Sequence, residues 1–281
     1  MCKTIKRVGF AEFGTWVAIY KCRSIERNKI RSSGTAGGLE NAYYKESKGE
    51  EIMALTKELI DRFMKVDPAQ LGHFVKNGYM NTSIKPVSKD FKMIGPAVTV
   101  RMTGDSNIML YYAVEHAPKG SVIVVDRGGE NIHACCGDGC SLNAQCQGMA
   151  GIVIDGPATD SAGIVSVGLP VFATGLSVVT TTIKEDKTAS FNVPVNCCGV
   201  VVNPGDIIFG NAEGVIVMKP EECEKLLEMG EAGNRAEQAP DGMFAGFRSG
   251  KKMSDYFPII NDALKIAGEE ANPWEDAEKN K

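Results

Sequence analysis

The chain has 281 residues, 43% of them hydrophobic, which allows one large domain or two small ones with a sizeable buried core. A formal charge of −4 argues against general nucleic-acid affinity and leaves no case for DNA as a partner. No apolar run approaches the ~20 residues that span a bilayer, and charges interrupt any signal core at the start of the chain, so neither a membrane nor a secretory route is expected.

Residues 1–50 read as a basic N-terminal extension. Residues 1–48 hold ten Lys or Arg against four Glu, and SSGTAGG at 32–38 has the composition of a flexible linker. The extension is expected to be peripheral, with an RNA-binding arm as the alternative, and Met53 offers a second start for the compact domain. That domain is expected over 51–260, with a polar tail over 261–281.

Within the domain, Ile52, Leu55, Leu59, Ile60 and Phe63 recur at helical spacing, which predicts an amphipathic helix ending before Asp67-Pro68. Asp67 is placed to cap a second helix with Pro68 in its first turn, and His73 falls there as a packing or surface residue. Strand-like runs follow at 97–102, 121–126, 151–156, 169–175, 198–206 and 213–220. SNIMLYYAVEHA and CSLNAQCQGMA read as helices between the first three. Strand and helix in alternation build a sheet covered by helices. The later strands show no helices between them, so that half is expected to be antiparallel or barrel-like. A last helix begins at Pro220. There is no internal repeat, and neither Gly-x-x-x-x-Gly-Lys nor Gly-x-Gly-x-x-Gly after a strand, which removes the main support for ATP or dinucleotide chemistry.

Nine cysteines are an odd count, and the adjacent pairs Cys135-Cys136 and Cys197-Cys198 make poor disulfides within each pair. A reducing compartment fits, and the chain is placed in the cytoplasm. Cys136, Cys140 and His133 lie close enough in sequence to gather a soft metal. Without a second paired spacing, the cysteines read instead as small fillers beside glycines.

Two strand ends carry chemistry. VVDRGGENIHACCGDG, 124–139, gives an acid, a Gly pair and then Gly137-Asp138 just ahead of a helical run. Free N–H groups at a helix start attract an anion, so the backbone at Gly139 and Cys140 is a candidate cradle for a carboxylate, with Asp138 beside it either as a metal-facing acid or as a simple helix cap. The second cluster, DGPATD, runs from Asp155 to Asp160. Ligands of such sheets bind beyond the carboxyl ends of strands, where converging carboxylates need a cation. Asp138 with Asp160 is therefore the candidate metal site, and its hard oxygen ligands suit magnesium.

In order along the chain, GPAVTV at 95–100, GDSN at 104–107, PKGSVIVVD at 118–126, Ala134-x-x-Gly137-Asp138, GIVIDGPATD, LPVFATG, NVPVNCCGVVVNPGDIIFGNAEGVIVMKP and a helix ending in Ala236-Glu237 resemble the family of the regulator of ribonuclease activity A. Its catalytic branch comprises the class II 4-hydroxy-4-methyl-2-oxoglutarate / 4-carboxy-4-hydroxy-2-oxoadipate aldolases. The likeness covers roughly residues 53–257.

The resemblance implies an α/β fold: a swivelling β/β/α domain with a mixed sheet flanked by helices, assembled as a homotrimer or hexamer with sites between subunits. It also implies a lyase that releases pyruvate from a small oxo- or hydroxy-acid and decarboxylates oxaloacetate, with divalent Mg or Mn stabilising the enolate. On the family's motif, Asp160 matches the metal-binding acid and Asp138 the acid that works through a metal-bound water. Gly137, Gly139 and Cys140 fall at the pyruvate-carboxylate cradle, and Glu237 matches, loosely, an acid contributed across the subunit interface.

Two positions depart from the pattern. Thr159 stands where the aldolases carry Arg, and Gly163 where they carry a later acid. Replacing such an Arg by a neutral residue costs roughly several kcal/mol of charge-assisted bonding. Arg127, directly after the Asp126 strand end, is a candidate replacement for that charge; otherwise it faces solvent or pairs with Glu130. The alternative function is a non-catalytic regulator that binds an RNA-degrading ribonuclease, which Thr159 and Gly163 favour and the two retained Asp residues oppose. A third label given to such sequences, menaquinone methyltransferase, lacks a glycine-rich methyl-donor loop here.

Overall fold

The computed structural model describes residues 55–75 and 77–268, all within one compact unit, Glu51–Lys281. The basic extension with its linker and Met53, the Ile52 turn of the first expected helix and the terminal WEDAEKNK lie outside the described residues.

The chain enters through α1 (Lys57–Phe63), capped by Thr56, whose hydroxyl accepts from the Leu59 N–H, and α2 (Pro68–Gly72), capped by Asp67 through the Ala69 N–H. A short β1 (Lys85–Pro86) precedes β2 (Met93–Arg101), α3 (Ile108–His116), β3 (Val122–Asp126), α4 (Asp138–Gln147), β4 (Gly151–Ala158), α5 (Ser161–Val167) and β5 (Val171–Leu176). After β6 (Ser190–Phe191), β7 (Val195–Cys197) and β8 (Val200–Val202) come the hairpin strands β9 (Ile207–Asn211) and β10 (Gly214–Met218). Then follow α6 (Cys223–Gln238), entered through a 3-10 turn at Pro220–Glu222, α7 (Met243–Arg248) and α8 (Ala263–Ala267).

The main sheet runs β1-β5-β4-β3-β2-β9-β10, with β6 on β2. Strands β2 to β5 are mutually parallel; β9, β10, β1 and β6 join antiparallel, and β7-β8 form a separate antiparallel pair. The mixed sheet flanked by helices and the antiparallel second half are as the sequence led one to expect. One expectation is corrected: α5 stands between β4 and β5, so the parallel half continues one unit further than its pattern suggested. Its sequence, SAGIVSV, is short and rich in Gly and β-branched residues, and it has little helical periodicity of its own.

Both faces of the sheet are covered, which explains the near-continuous aliphatic runs of the parallel strands. All five residues of β3 are buried. In β9 and β10 the side chains alternate between two cores: Ile208, Val215 and Val217 join the large cluster with α3 and α4, while Ile207, Phe209, Ile216 and Met218 face α1, α2 and α6. Phe63 meets Phe209 edge to face, centroids 5.2 Å apart. The parallel strands thus form a rigid shelf whose carboxyl ends, at Asp126, Ala158 and Leu176, lie side by side. Among the described residues, no helix is long and apolar enough to cross a membrane.

Candidate active site

Three loops leave these strand ends and are stitched together by their backbones. The Thr159 N–H donates to the Cys136 carbonyl at 2.9 Å, tying the end of β4 to the segment before α4, and the Ser177 N–H donates to the Ala158 carbonyl at 2.9 Å. Farther out, the Ala134 N–H donates to Val179 O, Thr181 N–H returns to Ala134 O, and Thr182 N–H donates to Asp105 O. The loop after β5 is therefore held on both flanks.

A cleft of about 590 Å³ opens over this platform, lined by residues 159–163 at the β4–α5 junction and residues 176–178 at the exit of β5. Asp160 occupies the N-cap position of α5 in the left-handed region (φ 51°), yet its side chain makes no capping hydrogen bond. An Asp in a sparsely populated conformation, exposed and unused as a cap, is the kind of local cost that functional positions carry. Asp138, in the first turn of α4, is exposed as well, and its Oδ1 accepts from the Gly139 N–H at 2.6 Å. Gly137 holds the N-cap position of α4, so Asp138 is not its cap and takes this first-turn amide from inside the helix. A bound carboxylate would compete with it for that amide.

Two glycines seat the two acids. A β-carbon on Gly137 would lie 3.0 Å from Thr159 Cγ2 and 3.3 Å from Asp160 Cγ; one on Gly163 would lie 2.5 Å from the Asp138 β-carbon and 2.8 Å from its Oδ2. Each acid packs on the glycine beside the other, which brings the β3–α4 and β4–α5 turns into contact. A side chain at Gly163 has no room, because Asp138 fills that space. Gly163→Ala is expected to push Asp138 aside at a cost of about 1–3 kcal/mol, read by chemical denaturation against the parent protein.

Among the described residues, no three His, Cys, Asp or Glu side chains gather as a metal cage. The donor set is two carboxylates, and that fits Mg or Mn, which typically retain waters and take one or two protein carboxylates alongside substrate oxygens. Cys136, Cys140 and His133 do not gather into such a cage among the described residues. Burial pushes the Cys135 thiol up to about 12, and a hydrogen bond with Cys140 together with burial pushes Cys136 upward, so both are held as neutral thiols. His133 is engaged by Glu130 at 3.2 Å, whose carboxyl is held below its usual range by the His133 and Ile132 amides.

Arg127 is placed differently from either reading of it. Its side chain is fully buried; Nη2 donates to Gly104 O (2.6 Å) and His133 O (3.3 Å), Nη1 to Ser106 O (3.4 Å), and Nε has no partner. It neither faces solvent nor pairs with Glu130, and it does not line the cleft. A guanidinium offers five donors in a fixed fork, and here the fork gathers carbonyls from the loops after β2 and β3. Glu237 lies on α6 and accepts from Gln70 Nε2 of its own chain at 2.8 Å, away from the cleft lining. Asp155 is structural: its Oδ2 accepts from the Cys198 N–H at 2.9 Å, holding a turn in which Cys198 has φ 48°. Thr159 is half-buried at the cleft wall.

The sequence reading did not single out Leu176, Ser177 and Val178 of the cleft wall. Their signal was an aliphatic pair, Leu176 closing β5 and Val178 two residues on, where a strand exit is ordinarily polar.

The described fold agrees with what is known of similar proteins. The family model RraA-like, Aldolase/RraA, matches residues 56–217. A protein of Halalkalibacterium halodurans, provisionally named a 4-hydroxy-4-methyl-2-oxoglutarate aldolase, is 33% identical over 149 residues, covering 53% of this chain and 70% of that protein. A solved structure described as S-adenosylmethionine: 2-dimethylmenaquinone methyltransferase from Geobacillus kaustophilus is 28% identical, with a TM-score of 0.50 over 54% of this chain and 94% of that one. Streptomyces coelicolor RraAS2, described as an unusual member of the RNase ES inhibitor RraA protein family, superposes with a TM-score of 0.56 at 23% identity, over 70% of this chain and 98% of that one, a likeness of fold.

Proposed function

Because the chain belongs to the RraA-like, Aldolase/RraA family, we propose that it is a divalent-metal-dependent carbon–carbon lyase that releases pyruvate from a small oxo- or hydroxy-acid. The observation that carries this reading is the reciprocal packing of Asp138 and Asp160 on Gly163 and Gly137 at adjacent carboxyl ends of a parallel sheet. Two acids brought together where adjacent strands end, one of them at the cleft wall, favour a cation between them and the substrate.

Asp160 is assigned to hold the metal, which when bound would supply Lewis-acid stabilisation of the enolate. Asp138 is assigned to hold and return the proton that moves during cleavage. The first-turn amides of α4, at Gly139 and Cys140, would receive the substrate carboxylate, with the partial positive charge of the helix start behind them. Thr159 would contribute one neutral donor where the aldolases place a cation, and Arg127 would act by positioning loops. A homotrimer or hexamer, with Glu237 presented to a neighbouring subunit, completes the proposal, as does a place in the cytoplasm.

The second reading is a protein-binding regulator of an RNA-degrading enzyme. Thr159 at the position of the family Arg and Gly163 at that of the later acid are the observations that favour it. The deciding experiment measures pyruvate release from 4-hydroxy-4-methyl-2-oxoglutarate and oxaloacetate with Mg or Mn and with excess chelator. Turnover that the chelator abolishes and the metal restores is the expected result. No metal-dependent turnover, with no Mg or Mn binding by calorimetry, would transfer the assignment to the regulator.

A further inference from the structure

We propose that the cleft selects acids whose end remote from the 2-oxo-carboxylate is apolar and uncharged, and that Leu176 and Val178 determine this choice. The inference rests on the lyase reading for its chemistry. Its evidence is separate: the composition and stiffness of the cleft wall.

Asp160 is the one charged side chain in the cleft lining, and it is an acid. The basic groups of the surrounding loops are committed elsewhere. Arg127 is buried on three carbonyls, Lys184 is paired with Asp105, and His133 is paired with Glu130. With the metal on Asp160 taken up by the 2-oxo-carboxylate head, a second substrate carboxylate entering here would find no basic side chain of this chain to pair with. It would also lose water in doing so, which a site without a compensating donor does not repay.

The 176–178 side of the lining is aliphatic at two of its three residues. Leu176 is 61% exposed and Val178 96% exposed, in a loop whose backbone is fixed by the Ser177–Ala158, Val179–Ala134 and Thr182–Asp105 hydrogen bonds. These two side chains are therefore held at the cleft by the fold, and their exposure does not come from a loosely tethered loop. Apolar surface maintained beside a few polar groups is the usual make-up of a small-molecule site, the polar groups orienting the ligand and the apolar wall selecting its tail.

In such a substrate the reaction balances simply. Cleavage of 4-hydroxy-4-methyl-2-oxopentanoate breaks the C3–C4 bond as the C4 hydroxyl loses its proton; C4 leaves as the carbonyl of acetone, and the electron pair left on C3 forms the enolate, which takes a proton to give pyruvate.

The test has a binding arm and a turnover arm, both on the full chain with Mg. Calorimetry compares 4-methyl-2-oxopentanoate with 2-oxoglutarate, which share the 2-oxo-acid head, differ at the far end and lack the hydroxyl needed for cleavage. The branched acid is expected to bind at least about tenfold more tightly, the scale on which pockets discriminate small apolar groups. Val178→Lys, at a position exposed enough to accept the change, is expected to shrink or reverse that preference by about tenfold. Equal or tighter binding of 2-oxoglutarate, binding of neither acid, or an unchanged preference in Val178→Lys would overturn the assignment. The turnover arm compares pyruvate release from 4-hydroxy-4-methyl-2-oxopentanoate and 4-hydroxy-4-methyl-2-oxoglutarate. Preferential binding of the branched acid with pyruvate from neither substrate removes the lyase reading and leaves the selectivity standing.

Discussion

Asp160→Ala is expected to lower metal-dependent pyruvate release by at least about 100-fold while leaving the fold intact. Losing a group that merely orients a metal ligand costs about 10–100-fold in affinity or activity, so losing the ligand itself falls at or beyond that limit. The fold is expected to survive because this carboxylate does no capping work: its side chain makes no bond to the start of α5. Alanine relieves no clash and leaves no carbonyl stranded, although it tolerates the left-handed backbone less well than aspartate does. Steady-state kinetics with saturating Mg, beside calorimetric Mg binding and a melting curve, checks the prediction. Full activity with undiminished Mg binding would remove Asp160 from the metal site.

Arg127→Ala is expected to show the opposite profile, a loss of stability of about 3–5 kcal/mol. The substitution strands the carbonyls of Gly104, Ser106 and His133, each costing about 1–3 kcal/mol when buried without a donor, and it opens a cavity at a fully enclosed side chain. For a domain of this size, each kcal/mol moves the melting temperature by about 2–4 °C, so a fall on the order of 10 °C is expected. Arg127→Lys is not expected to restore it, because one ammonium cannot reproduce a planar fork spanning three acceptors. Thermal denaturation of both variants beside the parent, with urea titration for the free energy, provides the measurement. A melting temperature within 2 °C of the parent's would mean that these hydrogen bonds do not hold the loops together.

The parallel half of the fold was legible because each strand is sealed on both faces, which writes runs such as VIVVD and GIVID into the sequence. The two-residue strands β1 and β6 and the weakly patterned α5 were not, since tertiary contacts hold them more than local periodicity does. At the site, Asp138 and Asp160 could be named from strand ends and motif order. What paired them could not, because the Gly137 and Gly163 contacts join residues that are distant in sequence. Arg127 misled for a physical reason: a lone basic residue after a strand ordinarily points to water, and nothing local announces that three carbonyls are waiting beneath it. Leu176 and Val178 fell just beyond the strand expected at 169–175 and were not read at all, although their placement shapes the cleft.

The nesting of Asp138 against Gly163 also bears on how this chain can change. An arginine at Thr159 would enter the wall of an open cleft and ask little of the main chain. An acid at Gly163 would have to displace Asp138 first, since even its β-carbon would fall 2.5 Å from that residue's own. The two positions are therefore not equally open to a charged side chain. The first asks for one side chain in open space, whereas the second asks the turn between β3 and α4 to shift before the new group can be seated.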